Sequence, residues 1–142
     1  MLRSVELKDY MLPDPVKIKA DDSVFEAIHR ILVHKVSGLC VVNERQHLLG
    51  VLSEMDCLRA ILGSVYNDSP HLAGSVGEYM TKEVVTVGVH DNIVDVATDM
   101  LKHKHRRRPV VDEDGRLLGQ VSCRQLLRAV KEFAAPVDPS EH

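Results

Sequence analysis

Leu48-Leu49-Gly50-Val51-Leu52-Ser53-Glu54-Met55-Asp56 returns 69 residues later as Leu117-Leu118-Gly119-Gln120-Val121-Ser122-Cys123-Arg124-Gln125, and this recurrence decides how the chain folds. Working outward, Tyr10 to Ile61 overlies Tyr79 to Val130 at the same offset without a gap. Seventeen of the 52 positions are identical, among them Tyr10, Met11, Asp22, His34, Lys35, Val41, Val42 and Arg59. A unit of this length in only two copies is not a solenoid repeat. It predicts two similar half-domains related by a pseudo-twofold axis, with clefts where they meet, and ligands favour such clefts.

Each copy reads strand, helix, strand, strand, helix, an α+β pattern. The first strands are Val16-Lys17-Ile18 and Val84-Val85-Thr86-Val87. Ser23 with Glu26, and Asn92 with Asp95, mark the helix starts that follow. Val24, Ala27, Ile28, Ile31 and Leu32, mirrored by Ile93, Val96, Ala97, Met100 and Leu101, have the spacing of one buried helical face and are read as core. Buried strands are predicted at Leu39–Val42 and Pro109–Val111, then at Leu48–Leu52 and Leu117–Val121, each copy closing on a helix. The resulting organisation is an N-terminal segment at 1–9, a first repeat at 10–62, a linker at 63–78, a second repeat at 79–133 and a frayed tail at 134–142. Leu2 to Tyr10 is read as a short helix.

With 142 residues and a formal net charge of −3, the chain makes no electrostatic case for nucleic acid. No apolar run approaches the roughly 20 residues of a membrane span, and Met1 to Glu6 lacks the apolar stretch of a signal peptide. The expected location is cytoplasmic. Cys40, Cys57 and Cys123 do not suggest a disulfide framework. No nucleophile with base and orienter stands out and no Gly-rich phosphate loop is present, so no enzyme is expected. His103, His105 and Cys123 invite a metal, but the neighbours are cationic and no carboxylate completes the set.

The tandem unit, with Gly50-Val51-Leu52-Ser53-Glu54-Met55-Asp56 and Pro109-Val110-Val111-Asp112-Glu113-Asp114-Gly115-Arg116-Leu117-Leu118-Gly119, resembles the CBS domain pair, the family named after cystathionine beta-synthase. The resemblance spans Tyr10 to Val130. It implies a regulatory module with two related clefts, assembled into a flat dimer, that senses adenine nucleotides and signals to a partner protein. AMP, ADP or ATP is the ligand implied, with S-adenosylmethionine, NAD or a cyclic dinucleotide as other choices; no cofactor is required.

The family's ribose signature is intact at Gly50, Ser53 and Asp56, where a carboxylate one turn into a helix can accept both hydrogen bonds of a diol. Ser-x-x-Asp at a helix start is equally a capping arrangement, and one residue pair can do both. In the second copy Ser122 is kept but Gln125 replaces the carboxylate, so unequal sites are expected. The resemblance places phosphate at Arg107, with Arg106 and His105 just upstream; the matching Val36-Ser37-Gly38 carries no charge. Arginine suits phosphate because its planar fork binds oxygens in pairs. By the family's crossed arrangement, Val84, Val85 and Thr86 would face the Ser53 cleft, and Pro15, Val16 and Lys17 the other.

Phe25, Val33 and Val36 lie off the main stripe of the first helix, where the second copy has Val94, Lys102 and His105. That second stripe, with Met55, Cys57 and Leu62 as possible neighbours, predicts a homodimer. A ligand-free dimerisation or interaction scaffold is the alternative reading.

Overall fold

The computed structural model describes residues 4–66 and 74–133; the tail at 134–142, read from the sequence as frayed, and the middle of the predicted linker lie outside them. A three-residue 3-10 turn, Leu7–Asp9, stands where a short helix was expected. It is followed by β1 (Leu12–Pro13), β2 (Lys17–Lys19), α1 (Val24–His34), β3 (Gly38–Val42), β4 (Leu48–Ser53) and α2 (Glu54–Tyr66). Then come α3 (Val76–Tyr79), α4 (Ile93–His103), β5 (Arg107–Val111), β6 (Leu117–Ser122) and α5 (Cys123–Phe133). Two repeats of mixed α+β structure are present.

The packing units are not the sequence repeats. One unit draws on Met1–Asp14, Val85–Glu113 and Leu118–His142, the other on Pro15–Val84 and Asp114–Leu117. Each unit therefore combines the body of one repeat with the leader of the other. In the first unit, Leu7 and Lys8 donate backbone hydrogen bonds to Asp91 and Val89, Ile93 donates to Val5, and β1 pairs antiparallel with β6. In the second, Val76 and Gly77 donate to Asp22 and Ala20, Val24 donates to Gly74, and Thr81 bridges Val51. Leu7 and Val76, equivalent in the repeat, are both fully buried in their respective cores.

Gly50 and Gly119 are the places where a leader crosses a strand. A Cβ on Gly50 would stand 2.5 Å from the Thr81 carbonyl oxygen, and one on Gly119 would stand 2.7 Å from that of Leu12. Only glycine admits a backbone this close. The glycine that opens the ribose signature is thus required by packing in both copies.

The second unit's sheet runs β2-β3-β4, with β2 parallel and β4 antiparallel to β3. Against it Ile18, Val24, Ala27, Ile31, Leu39, Val41, Leu52, Cys57, Ala60 and Val76 form the core. The first unit's sheet runs β1-β6-β5 and packs Leu7, Tyr10, Val87, Ile93, Val96, Met100, Val110, Val121 and Ala129. Caps set α1 and α4: Ser23 Oγ accepts from the Glu26 N–H, and Asn92 Oδ1 from the N–H groups of Val94 and Asp95. Each ends on a lysine in the left-handed region, Lys35 and Lys104.

Three expectations are corrected. Val84 to Val87 does not form a strand; only Val87 bridges Val110. The reason is Pro109: its counterpart Cys40 donates its N–H to the Val16 carbonyl at 3.1 Å, and proline has no N–H to give Val85 the same bond. Leu32 and Leu101, read as core, are 69% and 79% exposed, since they lie at the edge of the buried stripe. Within the 63–78 stretch read as loop, α2 continues to Tyr66 and α3 occupies Val76–Tyr79.

Candidate functional site

The end of β4 and the start of α2 carry the strongest site. The strand delivers Ser53, and the helix brings Asp56 back over it: Ser53 N–H donates to Asp56 Oδ2 at 2.8 Å, while Asp56 N–H donates to Ser53 Oγ at 3.2 Å. This reciprocal pair is a capping box, as the spacing allows. Asp56 is 3% exposed, and its Oδ1 accepts from Arg59 Nη2. A carboxylate this deeply placed needs such partners, because burying an unpaired charge is costly. Cys57, next in the chain, is buried, and its thiol is pushed up by desolvation first and then by the negative charges of Asp56 and Glu54. It is a packed thiol.

The matching junction of β6 and α5 keeps half of this arrangement. Ser122 Oγ accepts the Gln125 N–H at 3.1 Å. The cap is retained where the carboxylate is replaced by an amide.

The basic run before β5 separates into two kinds of arginine. Arg106 and Arg107 are exposed, and the Arg106 carbonyl accepts from the Cys123 N–H at 2.9 Å, tying this run to the start of α5. Arg108 instead is 3% exposed. Its Nη2 donates to Asp99 Oδ2 at 2.7 Å and its Nε to His105 Nδ1 at 3.2 Å. The Arg108 bond, with help from the charges of His103, Arg108 and Lys102, holds the Asp99 carboxyl below the usual carboxylate range despite some desolvation. His103 Nδ1 lies 3.0 Å from the Asp99 carbonyl oxygen. Among the described residues no group of three or more His, Cys, Asp or Glu is arranged to hold a metal ion.

Of the remaining candidates, Val16 and Lys17 lie half-buried at the start of β2, behind buried Pro15, and Lys17 Nζ donates to Gln46 Oε1 at 3.0 Å. Val84 is half-buried and belongs to the same unit as Ser53, Asp56, Val16 and Lys17. Val85 and Thr86 are exposed and belong with Arg106, Arg107 and Ser122. Arg59 had no role in the sequence reading, and Arg108 entered it only as part of the basic run 102–108; both have defined side-chain contacts in the structure. An arginine three residues after an aspartate on a helix is a readable pairing signal.

Tandem α+β repeats with capped serine junctions define a class of paired small modules, and comparison identifies it. The chain belongs to the CBS domain family, whose model, described as CBS domain, matches residues 7–63 and 76–132. The crystal structure of CBSX2 in complex with AMP is 30% identical, with a TM-score of 0.81, covering 92% of this chain and 99% of that one; CBSX2 is a CBS-pair protein of Arabidopsis thaliana. A CBS domain pair in complex with methylthioadenosine and S-adenosyl-L-methionine is 25% identical, with a TM-score of 0.73 over 87% of this chain and 97% of that one. Among curated relatives, an inosine-5'-monophosphate dehydrogenase of Aquifex aeolicus is 31% identical over 85% of this chain, and an uncharacterised protein of Methanocaldococcus jannaschii is 27% identical over 86%. The chain spans 24% of the former and 41% of the latter. No helix among the described residues is long and apolar enough to cross a membrane.

Proposed function

We propose that this chain is a regulatory module that senses adenine nucleotides, binding AMP or a related adenosine ligand and signalling its presence to a partner protein, without catalysis of its own. The observation that carries this reading is the Ser53–Asp56 pair: a serine and a buried carboxylate, on a strand end and a helix start, in a chain whose solved relatives hold adenosine compounds. Asp56 and Ser53 take the ribose diol, with Val84 as a neighbour of the base. Arg106 and Arg107 are the candidate anion donors, with Val85, Thr86 and Ser122 as further candidates in their own unit. Val16 and Lys17 are further candidates for nucleotide contact, and the Ser122 junction, where Gln125 is a poorer acceptor for a diol, is the weaker of the two junctions. A cytoplasmic location fits a nucleotide sensor.

The test is thermal unfolding with AMP, ADP, ATP, S-adenosylmethionine, NAD and cyclic dinucleotides. A ligand at 100 times its dissociation constant stabilises by about 2.7 kcal/mol. No shift with any of them contradicts the reading.

A second reading, a ligand-free dimerisation and interaction scaffold, is favoured by the exposed apolar residues of the helices. These include Phe25, Leu32, Val33, Met55, Leu58 and Leu62 in one unit, and Val94, Leu101, Leu127 and Val130 in the other. The second copy is thus more apolar here than Lys102 and His105 implied. Val36 does not contribute, as it packs on the core. We propose that the homodimer forms through these helix faces in either reading. Phe25→Glu with Val33→Glu should leave a folded monomer in light scattering; an unaltered mass contradicts this interface.

A further inference from the structure

This inference rests on the ribose reading of Ser53 and Asp56 and adds the regulation of that site. Asp56 is nearly sealed from solvent, yet the side chain that holds its Oδ1 is not: Arg59 is 61% exposed. The Arg59 guanidinium otherwise reaches the Tyr79 carbonyl at the long distance of 3.5 Å. The two residues are one turn apart on the same helix, so a change of Arg59 rotamer opens the pair without moving the backbone.

We propose that Arg59 is an internal competitor for the ligand. Its guanidinium occupies the carboxylate oxygen that a ribose diol needs, and an adenosine ligand binds by displacing it. Asp56 Oδ2 stays committed to the Ser53 N–H throughout, so the capping bond holds the carboxylate in place while Oδ1 exchanges partners. The other junction lacks this device: Arg128 stands at the position equivalent to Arg59, but Gln125 offers it no charge. Competition has a signature that a purely structural arginine lacks. An ion pair whose arginine stands in solvent is weakened by salt, though less than a fully exposed pair, whereas the hydrogen bonds of a neutral diol are not. Salt should therefore favour the binding of uncharged adenosine.

The experiment is calorimetric titration of adenosine into the wild-type chain, Arg59→Met, Arg59→Lys and Asp56→Asn at low and high sodium chloride, with thermal unfolding to check each fold. Arg59→Met should bind about 3-fold to 5-fold tighter at low salt, the range of one ion pair with a solvent-exposed member. Wild-type affinity should rise with salt towards that of Arg59→Met, which should be salt-independent, and Arg59→Lys should lie between them. If Asp56→Asn loses binding while Arg59→Met binds no tighter than wild type, or shows the same salt response, the competitor is refuted and the ribose site stands. Binding by Asp56→Asn equal to wild type, or no binding by any variant, refutes the ribose site and the competitor with it.

Discussion

The two repeats use one backbone frame for opposite purposes. Where the first places Val36 and Leu39, the second places His105 and Arg108. Leu39 is a buried core residue, and Arg108 is as buried, held by Asp99 and His105. At the second-strand junction the asymmetry reverses: the first repeat has the buried carboxylate of Asp56, the second the amide of Gln125. Since the serine cap survives both choices, the fold does not require these charges. They are what the two copies have been free to vary, and they are the natural place to look for function.

The largest expected effect tests this equivalence directly. Arg108→Ala should destabilise by about 3 kcal/mol, because it leaves a cavity and the unpaired groups of a partly buried ionic cluster. Arg108→Leu combined with His105→Val copies the first repeat into the second and should restore most of that loss, since apolar replacement of a buried ion pair is often neutral or better. Chemical denaturation measures both. A double variant no more stable than Arg108→Ala would mean that the two slots differ in shape and not only in charge.

Next in size are the crossing points. Gly50→Ala and Gly119→Ala each force a Cβ against a backbone carbonyl and should cost about 1–3 kcal/mol, with similar losses. Equal costs support equivalent crossings; a loss confined to one would break the comparison there.

A smaller effect appears with pH. The Asp99 carboxyl, lowered mainly by its bond to Arg108, titrates below its value in the unfolded chain. Its contribution is therefore fully present above the unfolded value of about 3.9 and is lost as pH falls through the lower folded value. Acid unfolding curves of the wild type and of the Arg108→Leu, His105→Val variant should converge in strong acid. Parallel curves would remove Asp99 from the account.

Much of this architecture was legible in the sequence, because duplication prints the same spacing twice and because caps at Ser23, Asn92, Ser53 and Ser122 depend on local residues. The exchange of leaders was not. Leu7 and Val76 satisfy the same apolar requirement in either body, and only the three-dimensional packing says which body receives them. The missing strand at Val84–Thr86 was readable from Pro109, whose absent N–H faces the very ladder that strand needed. The basic run shows the limit of composition: Arg106 and Arg107 are exposed while Arg108 turns inward. The Ser53–Asp56 pairing was found from spacing, whereas Arg59 gained a role only once its guanidinium was seen on the carboxylate.

The carboxylate present in one repeat and absent from the other is the group proposed to bind a ribose. Calorimetry of AMP against the wild-type chain, Asp56→Ala and Gln125→Ala tests it most directly. Asp56→Ala should weaken binding by about 1.5–3 kcal/mol, the value of charged hydrogen bonds, while Gln125→Ala leaves it unchanged. Undiminished affinity in a folded Asp56→Ala variant would contradict the account and leave Asp56 as a helix cap alone.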